Sequence, residues 1–182
     1  MAIYNLLLIV FWLIFLLYWA TSAREMKKIA HQEAPWRGLS ILIIFVALLF
    51  LQEYVFHFDF IPHTAMIEVM GVIFCGLGIA FAIWARRHLG KSWNARPSIQ
   101  EEHELVTTGP YRFVRHPIYT GVMIAVLGST LVGGTFWFLI FILFCFELVW
   151  RIRIEERLML QQFPNQYPDY KKRTKALIPF VL

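Results

Sequence analysis

Along this chain of 182 residues, apolar positions are gathered into long windows, 3–20, 38–56, 65–85 and 134–150, in which Glu53, Glu68 and Glu147 are the only charges. A helix needs roughly 20 mostly apolar residues to cross a bilayer, so each window predicts a transmembrane helix. A fifth window, 117–132, is uncharged but shorter. At 1.5 Å per residue it reaches about 24 Å, less than the roughly 30 Å hydrocarbon core. Only Gly133 and Gly134 separate it from the window that follows. The stretch 117–150 therefore reads as a tight helical hairpin, one arm of which reaches the far side barely or by local thinning of the bilayer. The predicted architecture is all-α and integral to the membrane, with a single domain over 1–182.

Composition agrees: 59% of residues are hydrophobic, 17% aromatic and only 16% charged, far from an ordinary soluble domain. Charge supplies the orientation. All 17 Lys and Arg fall within 21–37, 86–116 and 151–182, while "HFDFIPH" at 57–63 and the Gly133-Gly134 turn carry none. The positive-inside rule then predicts five spans, N-terminus out and C-terminus in, in a plasma or inner membrane. The net charge of +5 reports that orientation. The basic residues hug helix ends and form no separate basic domain, so no nucleic-acid partner is expected. Small residues "ATSA" follow the first window, but no Lys or Arg precedes it, so it is read as a retained span rather than a cleaved signal.

Cys75 and Cys145 lie mid-helix and far apart, as small buried hydrophobes do. No CxxC, HExxH, GxSxG or P-loop pattern occurs, no metal site is expected, and "GVIFCGLG" at 71–78 reads as small residues for helix packing. Chemistry is therefore expected in the two long cytoplasmic segments. The first, 86–116, holds Gly90, Pro97, Gly109 and Pro110, so no helix runs through it. Trp93, "HELV" and "PYRFV" give it apolar anchors, predicting a cap folded over the helix ends. Gly109-Pro110 marks a turn. His116-Pro117 puts proline at the first position of the next helix, whose free N–H groups suit an anion.

The second segment continues the last span as "ELVWRIRIEERLMLQQFP" until Pro164 stops it. Arg151, Glu155 and Leu158 share one face there, with Glu156 rotated by about 100° from Glu155. An acid and a base thus stand at the cytoplasmic mouth of the hairpin. Arg112, Arg115 and Arg153 also suit interfacial anchors that snorkel to lipid phosphates, and Tyr111 and Tyr119 suit an aromatic belt.

"HELVTTGPYRFVRHPIYTG", followed by "EERLMLQQF", "YPDYKKR" and a final "IP", resembles the isoprenylcysteine carboxyl methyltransferase family, its bacterial relatives and the related phospholipid methyltransferases. The resemblance covers roughly 80–182, with the catalytic part over about 86–182, and implies an integral-membrane enzyme that uses S-adenosylmethionine without a Rossmann fold. Carried over by motif, it implies cofactor contacts from His103, Glu104, Leu105, Val106, Tyr111, His116, Pro117, Ile118, Tyr119 and Glu155, with Arg151 facing the methyl acceptor. Phe163-Pro164 stands where the family usually has Phe-Gly, and Arg96 where some relatives offer a polar amide.

The cofactor's carboxylate, ammonium, sulfonium and adenine call for an anion site, a carboxylate and aromatic faces, which the helix terminus, Glu155 and the tyrosines can supply. The expected reaction is methyl transfer to a lipid-like acceptor, foremost a carboxylate as in prenylcysteine. Arg151 would orient that carboxylate by paired hydrogen bonds. An amine or thiol acceptor, as in N-methylation of a phospholipid or S-methylation of a small thiol, would instead want a carboxylate such as Glu156 as base. Membrane lipids are the other expected partners, and no obligate protein partner is evident. A transporter or lipid-binding scaffold is the alternative of a different class, but no broken midplane segment signals one.

Overall fold

The structure, a computed structural model, describes residues 2–23, 59–90 and 105–178. The span expected at 38–56, and His103 and Glu104 of the expected cofactor set, lie outside the described residues. Within them the chain forms helices α1 (Ala2–Ala23), α2 (Ala65–Leu89), α3 (Pro117–Gly133), α4 (Thr135–Gln162) and α5 (Tyr167–Arg173), with a 3-10 turn at Gly109–Arg112 before α3. By length and composition α1, α2 and α4 can each cross a membrane, and α3 is apolar but only 17 residues long.

Local sequence explains the helix ends. The Thr64 hydroxyl caps α2 by accepting from Ile67 N, and Gly90, at φ +54°, ends it. Pro117 opens α3 as expected. The turn to α4 is tighter than the expected pair of glycines, because Gly133 stays helical and Gly134 alone, at φ +82°, reverses the chain. Helix α4 then runs past its apolar part to Gln162, two residues short of Pro164.

Helices α2 and α3 are antiparallel and touch backbone to backbone. A Cβ on Gly71 would lie 2.6 Å from Gly128 O, and one on Gly121 would lie 2.6 Å from both Gly78 O and Ala82 N. The small residues at 71–78 thus serve helix packing, as their spacing indicates. Helix α1 lies along this pair and parallel to α2: the Phe11 ring sits beside Gly76, Trp12 Nε1 donates to Ser129 Oγ at 3.0 Å, and Ser22 O accepts from Arg86 Nη2 at 3.2 Å. Leu8, Cys75, Ile79, Ala125 and Val132 form the shared core. Elsewhere the apolar side chains point outward, with Leu17, Met66, Leu77, Leu143 and Phe146 each more than 60% exposed. Exposed apolar surface this extensive marks contact with lipid or with another apolar surface, and lipid suits helices of this length and composition.

A feature that hydropathy does not signal lies at the C-terminal end. Residues 167–177 run along 111–120, joined by a parallel bridge between Val114 and Lys175. Arg115 N donates to Lys175 O at 2.8 Å and His116 N to Ala176 O at 3.0 Å. Thr120 Oγ1 donates to Leu177 O at 2.7 Å, and Tyr170 OH to Tyr111 O at 2.6 Å.

Candidate functional site

The α3–α4 hairpin brings the first turn of α3 against the extension of α4, and most of the described candidates meet there. Tyr119 OH donates to Glu155 Oε1 and accepts from Arg151 Nε at 2.8 Å. Arg151 Nε also stands 3.4 Å from Glu155 Oε1, and its guanidinium carbon lies over the Tyr119 ring, 5.8 Å from the centroid. Arg151 and Glu155 are therefore joined through the tyrosine as well as by helical spacing. His116 stacks on Tyr119 with ring centroids 5.7 Å apart.

His116, the residue that caps α3, is the electrostatic centre. Its side chain is only 10% exposed, Nδ1 lies 3.5 Å from Glu155 Oε2 and Nε2 lies 3.6 Å from Glu156 Oε1. These distances allow ion pairing, yet Nε2 is buried and, among the described residues, makes no hydrogen bond. Burial pulls the imidazole pKa down, but Glu155 and Glu156 outweigh it and hold it above its ordinary 6.5. Glu156 shows the opposite balance. Burial raises its carboxyl, but His116, Lys171 and Arg115 bring it down to about 2.

Tyr111 stands at the margin, buried in the 3-10 turn. Its ring stacks on His88 at 6.4 Å, whose Nε2 lies 2.9 Å from Thr108 Oγ1. Burial, Tyr170 and Glu155 push its phenol up despite Arg86. Leu105 and Val106 lead into this turn half-buried, Pro117 is fully buried as the first residue of α3, and Ile118 is half-buried beside Tyr119.

Sequence reasoning missed Arg115. It is no lipid anchor: its side chain is 9% exposed and paired with Glu156, Nη2 to Oε1 at 2.6 Å. Lys171 and His88 were missed as well. The available signal was position, since Arg115 adjoins His116 and Lys171 falls in the "YPDYKKR" of the resemblance.

Chemically, the cluster offers a buried imidazole nitrogen without a hydrogen bond, a carboxylate beside it, and a tyrosine face that already attracts a cation. Such a donor set fits a small ligand bearing both charges, which the donor implied by the resemblance does.

Comparison with known proteins bears on what that ligand serves. The phospholipid methyltransferase family matches residues 66–166, which include all but the first residue of α2, the whole of α3 and α4, and every described candidate residue. The protein-S-isoprenylcysteine O-methyltransferase of Saccharomyces cerevisiae is 28% identical over 131 residues, 68% of this chain and 54% of that protein. The nickel-cobalt-cadmium resistance protein NccN of Alcaligenes xylosoxydans xylosoxydans is 33% identical over 94 residues, 50% of this chain and 44% of that one. The chain thus spans about half the length of these relatives. A solved structure of a eukaryotic intramembrane Ras methyltransferase, an isoprenylcysteine carboxyl methyltransferase, is similar with a TM-score of 0.60 at 22% identity, covering 84% of this chain and 55% of that one. That likeness is one of fold alone. With the family match extending over more than half of its residues and isoprenylcysteine O-methyltransferases among its relatives, the chain belongs to the phospholipid methyltransferase family.

Proposed function

We propose that the protein is an integral-membrane methyltransferase that uses S-adenosylmethionine to methylate the carboxylate of a lipid-like acceptor, of the kind an S-prenylated cysteine presents. The observation that carries this reading is the half-buried, mutually bonded cluster of His116, Tyr119, Arg151 and Glu155 at the open end of the α3–α4 hairpin. S-adenosylmethionine supplies, when bound, a methyl group already activated as a sulfonium. His116, Tyr119 and Glu155 would hold it, with Tyr111, Pro117, Ile118 and the backbone of Leu105 and Val106 shaping the site and His103 and Glu104 completing the set. Arg151, 39% exposed, would orient the acceptor carboxylate through its fork of N–H groups.

A carboxylate acceptor is favoured over an amine or thiol by the state of Glu156. An amine or thiol must lose a proton, whereas a carboxylate has none to lose, and Glu156 is ion-paired on both oxygens and acidified. A group so stabilised as an anion is a poor proton acceptor. Positioning and exclusion of water are what the residues contribute.

The topology proposed is five spans, N-terminus out and C-terminus in, with the site in the cytoplasmic half of a plasma or inner membrane. The parallel course of α1 and α2 supports it, because a chain that crosses twice in one direction has to return between them. The test is transfer of label from S-adenosylmethionine to a total lipid extract and to a prenylcysteine analogue. Base-labile methyl esters identified by mass spectrometry are the expected product. Base-stable N-methyl or S-methyl products would overturn the carboxylate assignment, and no transfer to any lipid would overturn the enzyme.

A further inference from the structure

Glu156 gathers more charge than its place on α4 requires. Its Oε1 accepts from Arg115 Nε at 2.7 Å and from Nη2 at 2.6 Å, and its Oε2 pairs with Lys171 Nζ at 2.6 Å. The remaining Nη1 of Arg115 donates to Lys171 O at 3.3 Å and to Thr174 O. One buried guanidinium therefore ties a carboxylate on α4 to the backbone of the C-terminal segment. On either side of it, backbone bonds from Arg115 and His116 reach Lys175 and Ala176. The segment has little stability of its own, since α5 is only seven residues long and so short a helix is marginal without tertiary support.

We infer that Arg115, Glu156 and Lys171 form a clasp that presses residues 167–177 against the first turn of α3 and thereby holds His116 and Tyr119 in place for the cofactor. Glu156 is then a positioning residue and not a base. The physical reason is adjacency: His116 follows Arg115 directly and shares its attachment to the C-terminal segment, so release of the guanidinium releases the imidazole. Breaking a buried ion pair from one side leaves the other charge uncompensated, which makes Glu156 a severe place to cut. Lys171 is a mild one, because its side chain is 44% exposed and its loss strands no buried cation.

This inference rests on the proposed methyltransferase reading, and the test separates the two. Binding of S-adenosylhomocysteine and steady-state methyl transfer are measured on the full chain in lipid nanodiscs for the wild type, Lys171→Met, Lys171→Arg, Glu156→Gln and the double variant Glu156→Gln/Lys171→Met. Lys171→Met is expected to weaken binding and raise the cofactor KM by about fivefold, with kcat at saturating cofactor within about threefold and the pH–rate profile unmoved. Lys171→Arg restores affinity. Glu156→Gln weakens binding by more than about tenfold, and the double variant is no worse, as members of one unit behave.

Two results overturn the clasp: wild-type cofactor affinity in Lys171→Met, or a collapse of kcat in Glu156→Gln with cofactor affinity kept, which is the signature of a base. If Glu156→Gln does not fold, the Met and Arg pair at Lys171 decides. A wild-type protein that binds no S-adenosylhomocysteine sinks the methyltransferase reading instead. The clasp is then read by trypsin cutting at Lys172, Arg173 and Lys175, which speeds up in Lys171→Met only if the lysine holds the segment down.

Discussion

At the turn end of the α3–α4 hairpin, Asp59 Oδ1 accepts from Thr135 N at 3.0 Å, Thr135 Oγ1 at 2.7 Å and Ile61 N at 3.0 Å, while Oδ2 faces His63 Nε2 at 2.7 Å. At the open end, His116 lies between two carboxylates with Nε2 making no hydrogen bond, and Arg151, Tyr119 and Glu155 share a single chain of contacts. Both clusters put charge at the rim of an apolar bundle. The first is closed: each Asp59 oxygen has a backbone or side-chain partner, and the sum of those bonds caps the start of α4. The second is charged beyond what packing needs and leaves a donor or acceptor unspent. A polar group that serves the fold is satisfied within the fold, whereas one that serves a ligand keeps capacity in reserve.

The largest expected effect that would break this contrast is at Glu155. Glu155→Gln should weaken S-adenosylhomocysteine binding by about 2 kcal/mol, the scale of a hydrogen bond to a charged group, with a smaller loss of stability than of affinity, both measured on detergent-solubilised protein. Asp59→Ala should do the reverse. It should cost about 1 to 2 kcal/mol of stability, as a lost helix cap does, and leave cofactor affinity where it was. A loss of affinity in Asp59→Ala would show that the two ends are not separable.

Acidity and alkalinity should sharpen the contrast further. The carboxyl of Asp59 is raised by burial but brought down on balance by Thr135, Ile61 and His63, to about 2 from 3.8. Its contribution to stability is therefore present above pH 3.8 and lost as pH falls toward 2. His116 has a folded pKa above 6.5, so its contribution is full below pH 6.5 and lost as pH rises through the raised value. Unfolding followed across pH should show Asp59→Asn flattening only the acid limb and His116→Gln chiefly the alkaline one, with Glu156 adding an acid component to the open end.

The smallest effect concerns Arg151 and Glu155. Because Tyr119 bonds both, a double-mutant cycle of Arg151→Ala and Glu155→Gln on cofactor binding should give a coupling of about 0.5 to 1 kcal/mol. Arg151→Ala should still act mainly on the acceptor KM. Abolished cofactor binding in Arg151→Ala would make the pair one structural unit and remove Arg151 from the acceptor.

Much of this is legible in the sequence. Hydropathy found α1, α2, α3 and α4, because helix formation in lipid depends on little beyond an apolar run of sufficient length. The hairpin followed from two glycines, though only Gly134 takes the positive φ. Helical phase put Arg151 and Glu155 on one face, but it could not bring Tyr119 between them, since that depends on how α3 is rotated against α4. Arg115, by its place beside a helix end, also suited a lipid anchor. Its true partners are Glu156 and carbonyls of residues 171 and 174, and no local pattern announces a bond across that distance. The bridge of Val114 to Lys175 was hidden for the same reason.

The glycine contact between α2 and α3 has a mechanical consequence. Where two helices meet largely through backbone atoms, few side chains stand between them to change rotamer, so the joint has few low-energy ways to slide. Gly71, Gly78, Gly121 and Gly128 make α2 and α3 a stator. A membrane-borne acceptor that needs the wall of the site to yield would find that compliance in α4, whose buried face carries bulkier residues such as Leu148 and Ile152. Any breathing of the site would then be a swing of α4 against a fixed post, with Arg151 and Glu155 riding on the moving part and His116 and Tyr119 on the still one.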